Sequence, residues 1–128
     1  MSFTLHDLGT ENFIFDANVW TWKAAVEIIR SFDFVSEGVL KQMSYNATGV
    51  KVSADDAHEI GSKIRDRILP QLAGGNKRMF ADLSVTDAPD DMTLHREGDE
   101  QWKNYSVTQE WLQEFSEFCL KSNGFQVF

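Results

Sequence analysis

Four places in this chain gather residue types able to do chemistry. His58-Glu59 is the first. A zinc-protease helix needs two His one turn apart on one face, with a Glu between them as base. Here the second position is Ser62, so the pair reads as a solvated surface of a helix. His95 is the second, with Asp90, Asp91, Glu97 and Asp99 nearby. A calcium loop would need alternating Asp/Asn ligands, a central Gly and a terminal Glu, and that order is missing. The stretch reads as a solvated acidic loop. The third, Gly74-Gly75-Asn76-Lys77-Arg78, has phosphate-loop residue types, but it follows an expected helix and lacks the Gly-Lys-Ser/Thr step, so it reads as a helix stop and turn. Last is Cys119, the single cysteine, set on an apolar helical face. That setting disfavours the thiolate, and no Gly-x-Ser-x-Gly elbow offers another nucleophile. No catalytic residue, metal-ligand set or cofactor motif is assigned.

Trp20 is the residue whose placement calls for a binding explanation. In Asn18-Val-Trp20-Thr-Trp22, Trp22 falls on the apolar stripe of a helix and Trp20 on its Lys23/Glu27 side. Either the N-terminal strands or the acidic loop cover that indole, or it anchors a partner or ligand, a role in which Trp is enriched.

The elements that must position these residues are legible from periodicity. Phe3, Leu5 and Leu8, then Phe13-Ile14-Phe15, flank the turn residues 9–12 and predict one or two short strands. Asp16 or Asn18 caps a helix over about 19–34, with Trp22, Ala25, Val26, Ile29 and Phe32 as its core stripe. Ser36 opens a short helix to Met43, and Val50-Lys51-Val52 is a brief extended piece. Ser53 caps a third helix with Ala57, Ile60, Gly61, Ile64, Ile68 and Leu72 inward; Gly61 implies close approach of another element, and Pro70 ends or kinks the helix near Leu69. Residues 79–85 contain a strand candidate. Ser106, with Gln109 completing a capping box, opens a last helix carrying Trp111, Leu112, Phe115, Phe118 and Cys119 on one face. Asn123-Gly124 stops it before Phe125-Gln126-Val127-Phe128.

These segments define an α-dominated α+β single domain over residues 1–128, with three main amphipathic helices, one short helix and a small sheet. The sheet is expected from the N-terminal strands, joined by residues 79–85 and the tail. The N-terminal segment lacks a basic stretch followed by an apolar core, no run reaches the length of a membrane span, and the lone cysteine suits a reducing compartment, so a cytoplasmic location is expected. Net charge is −8, with nine acids against five bases in residues 1–64 and eleven against seven in 65–128. A surface of that sign repels phosphate backbones, which argues against nucleic acid and leaves a basic protein as the complementary partner.

Three segments carry a resemblance. They are Asn18-x-Trp20-x-Trp22, Val50-x-Val52-Ser53-Ala54 and Phe118-Cys119-x-x-Ser122-x-Gly124-Phe125-x-Val127. In these the chain resembles a group of small uncharacterised bacterial proteins; the resemblance implies no activity and transfers no site residue. Two functional expectations stand. One is a non-catalytic protein-binding module, immunity-like in neutralising a basic partner, with Trp20, Asp90, Asp91, Asp99 and Glu100 as its contact residues. The other is a small-molecule binder or enzyme with a pocket near Trp20, Trp102 and Tyr105 and His95 as acid/base.

Overall fold

The computed structural model describes residues 2–45, 48–74, 77–87 and 105–128. Alternation begins the fold. Strand β1 (Ser2–Asp7) turns Phe3 and Leu5 inward and leaves His6 outside. It pairs antiparallel with β2 (Ile14–Asn18) on one side and with β7 (Phe125–Val127) on the other, in a register that sets Leu5 opposite both Phe15 and Val127. β7 then pairs with β3 (Val50–Val52), giving the sheet order β2-β1-β7-β3. Phe3, Leu5, Ala17, Val52, Phe125 and Val127 form one apolar face.

Helix α1 (Val19–Ser31) is capped by Asn18, whose side chain accepts from the Thr21 N–H. It stops short of the expected residue 34 because Asp33 adopts φ 62°, a left-handed conformation that a helix cannot continue through. Its core stripe is as expected, but Ala24 and Ile28 are also fully buried. That second flank is covered by a separate three-stranded sheet, ordered β5-β4-β6, made of β4 (Arg78–Phe80), β5 (Val85–Thr86) and β6 (Ser106–Thr108). Residues 79–85 therefore do not join the N-terminal sheet. They turn back on themselves through Leu83 at φ 72° and pair with β6, burying Met79 opposite Val107.

The same pairing corrects the start of the last helix. Ser106 lies in β6, its neighbours' backbone groups engaged with β4, so α4 (Gln109–Lys121) begins later and its cap is Thr108, which accepts from the Trp111 N–H at 3.1 Å. Helix α2 (Glu37–Met43) and its Ser36 cap are as expected. Helix α3 (Ala54–Lys63), capped by Ser53, packs along α4, and Gly61 is the reason it can. A Cβ there would lie 2.8 Å from Leu120 Cγ and 2.9 Å from the Ser116 carbonyl. The buried Ser116 hydroxyl donates back to the Gly61 carbonyl at 2.8 Å. The expected single helix to Leu69 instead widens into a π turn at Ile64–Ile68 and tightens into a 3-10 turn at Leu69–Leu72. Pro70 has no N–H and its ring would strike the carbonyl four residues back. The wide turn, with the Leu69 N–H bonded to the Ile64 carbonyl, lets the chain pass while Ile64, Ile68 and Leu72 stay buried.

Asp7 closes the sheet end. Its carboxylate accepts from the Gly9 and Thr10 N–H groups, and from the Asn123 N–H and side-chain amide at 2.7 and 3.1 Å. Partial burial opposes its ionisation, but the hydrogen bonds from Asn123 and Thr10 outweigh that and hold its pKa well below the ordinary carboxylate range. A carboxyl whose folded pKa is depressed adds stability above its unfolded value, and this is lost as pH falls toward the folded one. Asp7→Asn is expected to cost about 1 kcal/mol at neutral pH, allowing for solvent screening at this half-buried site. The gap from the parent should narrow progressively as pH falls below about 4, read by urea unfolding across pH. A gap that is constant with pH removes the ionised carboxylate from the account. In the core, Phe115 is fully buried, and Phe115→Ala is expected to cost about 3–5 kcal/mol by the same measurement.

Candidate functional site

A deep concavity among the described residues lies between α1 and α2, in front of β1. Helical spacing places Val19, Trp22, Lys23 and Arg30 of α1 along one wall. Glu37, Gly38, Lys41 and Ser44 from α2 and its C-terminal end form the other, with Tyr45 at the mouth. Phe3 forms part of the floor and Tyr105 closes one end. The cleft encloses about 600 Å³, within the range of small-molecule sites.

Its floor is carbon. Trp22 is 1% exposed and donates its indole N–H to the Met43 carbonyl at 2.8 Å, so the ring presents no unmet polar group to the cleft. Phe3 packs beside it, ring centroids 5.9 Å apart. The walls are cationic. Arg30 bonds Glu27 and, at 2.9 Å, Glu37; first Glu27 and then Glu37 raise its pKa and balance its charge. The Lys23 ammonium sits 4.5 Å from the centroid of the Tyr105 ring. Among the described residues, neither Lys23 nor Lys41 meets a carboxylate. A chain of net charge −8 thus lines its cleft, among the described residues, with three bases and one acid.

Gly38 has no structural need to be glycine. A Cβ there would meet nothing within 4 Å, and glycine costs a helix interior about 1 kcal/mol against alanine, somewhat less near its start. What it does is leave the α2 wall low where the cleft opens.

The expected site residues fare unevenly. Tyr105 lines the cleft, and Trp20 is half-buried with its ring stacked 5.5 Å from that of Tyr105, so it backs the end wall. Asp90, Asp91, His95, Asp99, Glu100 and Trp102 lie outside the described residues. Lys23, Arg30, Gly38 and Lys41 were missed, since each falls on a polar helical face that reads as solvated. The glycine in an otherwise regular short helix was the available signal. His58 is more than a solvated side chain, for its Nε2 donates to the Ser122 carbonyl at 2.8 Å and pins the end of α4. Among the described residues, no group of three or more His, Cys, Asp or Glu could hold a metal ion, and no helix is long and apolar enough to cross a membrane. No protein family, curated protein or solved structure matches the chain.

Cys119 is fully buried, and burial pushes its thiol pKa well above the ordinary value. Modification by a thiol-exchange reagent at pH 7 is expected only as denaturant opens the fold. Rapid labelling of the native protein would show an access route to α4 that the packing does not provide.

Proposed function

We propose that this chain is a non-catalytic binding protein whose ligand is a small molecule held in the cleft between α1 and α2. One observation carries the reading: a cleft of about 600 Å³ with a satisfied, apolar floor and a wall kept low by a glycine that the fold does not require. The fold spends polar and charged groups elsewhere on caps and turns. Here it sets Lys23 and Lys41 around open apolar space, which suits recognition. The cleft's aliphatic hydroxyl, that of Ser44, donates to the Leu40 carbonyl rather than to a base, and the described residues offer no metal-ligand set, which favours binding over turnover.

A second reading, recognition of a basic protein, is favoured by a different surface. A shallower groove of about 280 Å³ runs between the start of β2 and α4, with Phe13, Phe15 and Phe118 in it and Glu114 and Glu117 along it, balanced by Lys121 alone. Acids around the exposed Ile14 and the half-buried Phe13 and Phe15 suit a cationic partner, as would Asp90, Asp91, Asp99 and Glu100.

Gly38→Trp separates the two. The indole should fill the cleft mouth without disturbing packed atoms, leaving the thermal melting temperature unchanged or slightly raised. In a thermal-shift screen of small organic compounds, a ligand at about 100 times its Kd should stabilise the parent by about 2.7 kcal/mol and leave the Gly38→Trp protein unmoved. Compounds that stabilise both equally place the ligand elsewhere. A basic protein held at the β2/α4 groove would bind both alike.

A further inference from the structure

We infer that the ligand of this cleft is an anion carried on an aromatic ring: an aryl carboxylate, sulfonate or phosphate ester. The inference rests on the cleft being the binding site, and adds the chemistry of what it holds. The floor asks for a ring. Trp22 and Phe3 close its bottom with almost no surface of their own exposed, Tyr105 stands at the end and the exposed Tyr45 at the mouth, so four aromatic side chains line one space and the tyrosines offer the ring surface a ligand meets.

The walls ask for negative charge. Of the three bases, Arg30 is more than balanced by the two carboxylates of Glu27 and Glu37, whereas Lys23 and Lys41 have no carboxylate among the described residues and carry the positive charge of the walls. They stand on opposing helices, so an anion between them meets positive charge from both sides.

A cationic ligand, the usual guest of aromatic surfaces, is disfavoured on the same geometry. The π-face of Tyr105 is occupied by the Lys23 ammonium at 4.5 Å, and a second cation would be repelled by it. A wholly neutral ring would leave two ammonium groups at the edge of an apolar site with no partner gained. The acidity of the chain sharpens the choice, because an anion is attracted here against the sign of the protein as a whole.

The test uses two probes that differ by one group, 1-anilinonaphthalene-8-sulfonate and the uncharged N-phenyl-1-naphthylamine, titrated into the native protein and followed by fluorescence. The sulfonate should bind at one site, more tightly than the neutral probe, with its Kd rising as salt is added. In Lys23→Met/Lys41→Met, both sites being exposed and their change checked by thermal melting, the sulfonate's Kd should rise about tenfold, while that of the neutral probe changes by less than about twofold. Lys23→Arg/Lys41→Arg should retain sulfonate binding. Equal affinity for both probes, indifferent to the lysines, overturns the anion assignment and leaves the cleft standing as a neutral aromatic site. If neither probe binds, or if Gly38→Trp leaves both titrations unchanged, the cleft itself is not the site and the proposed function falls with it.

Discussion

The buried indole of Trp22 is the contact on which the arrangement turns. Its ring lies 5.9 Å from Phe3 of the central strand and 5.7 Å, edge on, from Phe115 of α4, and its N–H is spoken for by the carbonyl at the end of α2. Sheet, long helix and short helix are thus referred to one side chain. A buried indole N–H without an acceptor is costly, so the end of α2 cannot drift from α1 without a penalty of about 1–3 kcal/mol. That hydrogen bond ties the end of α2 to α1, and the Arg30–Glu37 pair ties its start, so the cleft between the helices is held from both ends of α2.

Around that point the aromatic residues form a continuous seam. Phe15 meets Trp111, Phe115 and Phe118, and Phe118 reaches both Phe13 and Phe125. The seam binds the sheet to α4, while α4 meets α3 at Gly61, whose missing side chain leaves room for Leu120 and for the Ser116–Gly61 hydrogen bond. The two devices are complementary: rings span the wide sheet–helix gap, and a missing side chain closes the narrow helix–helix one.

Much of this was legible beforehand, for identifiable reasons. Periods of two and of 3.6 are local properties, so the α+β class, the strands β1 and β3, the start of β2, the whole of α2 and the buried stripe of α3 could be read directly. Gly61 announced a close neighbour because glycine on an apolar stripe has few other uses. What failed was non-local. Ser106-Val107-Thr108 has the look of a helix start, yet partners more than twenty residues away make it a strand. Ala24 and Ile28 read as ordinary helix flank until a second sheet lies on them. The cleft was half legible: Tyr105 and Trp20 were singled out by type, but the placing of α2 against α1 is held by the Trp22–Met43 and Arg30–Glu37 contacts in three dimensions, and nothing in the spacing of Lys23, Gly38 and Lys41 declares it.

The position of β7 has a consequence for how the chain must be made. It sits between β1 and β3, so the strand nearest the N-terminus cannot complete its sheet until β7 arrives, and the Asp7–Asn123 clasp joins residues 116 apart in sequence. At roughly 5–20 residues per second, a ribosome delivers the second partner on the order of ten seconds after the first. For that interval Phe3 and Leu5 stand on a hairpin without their cover, an edge open to wrong pairing. The nascent chain is exposed there to chaperones and aggregation alike until β7 has been made.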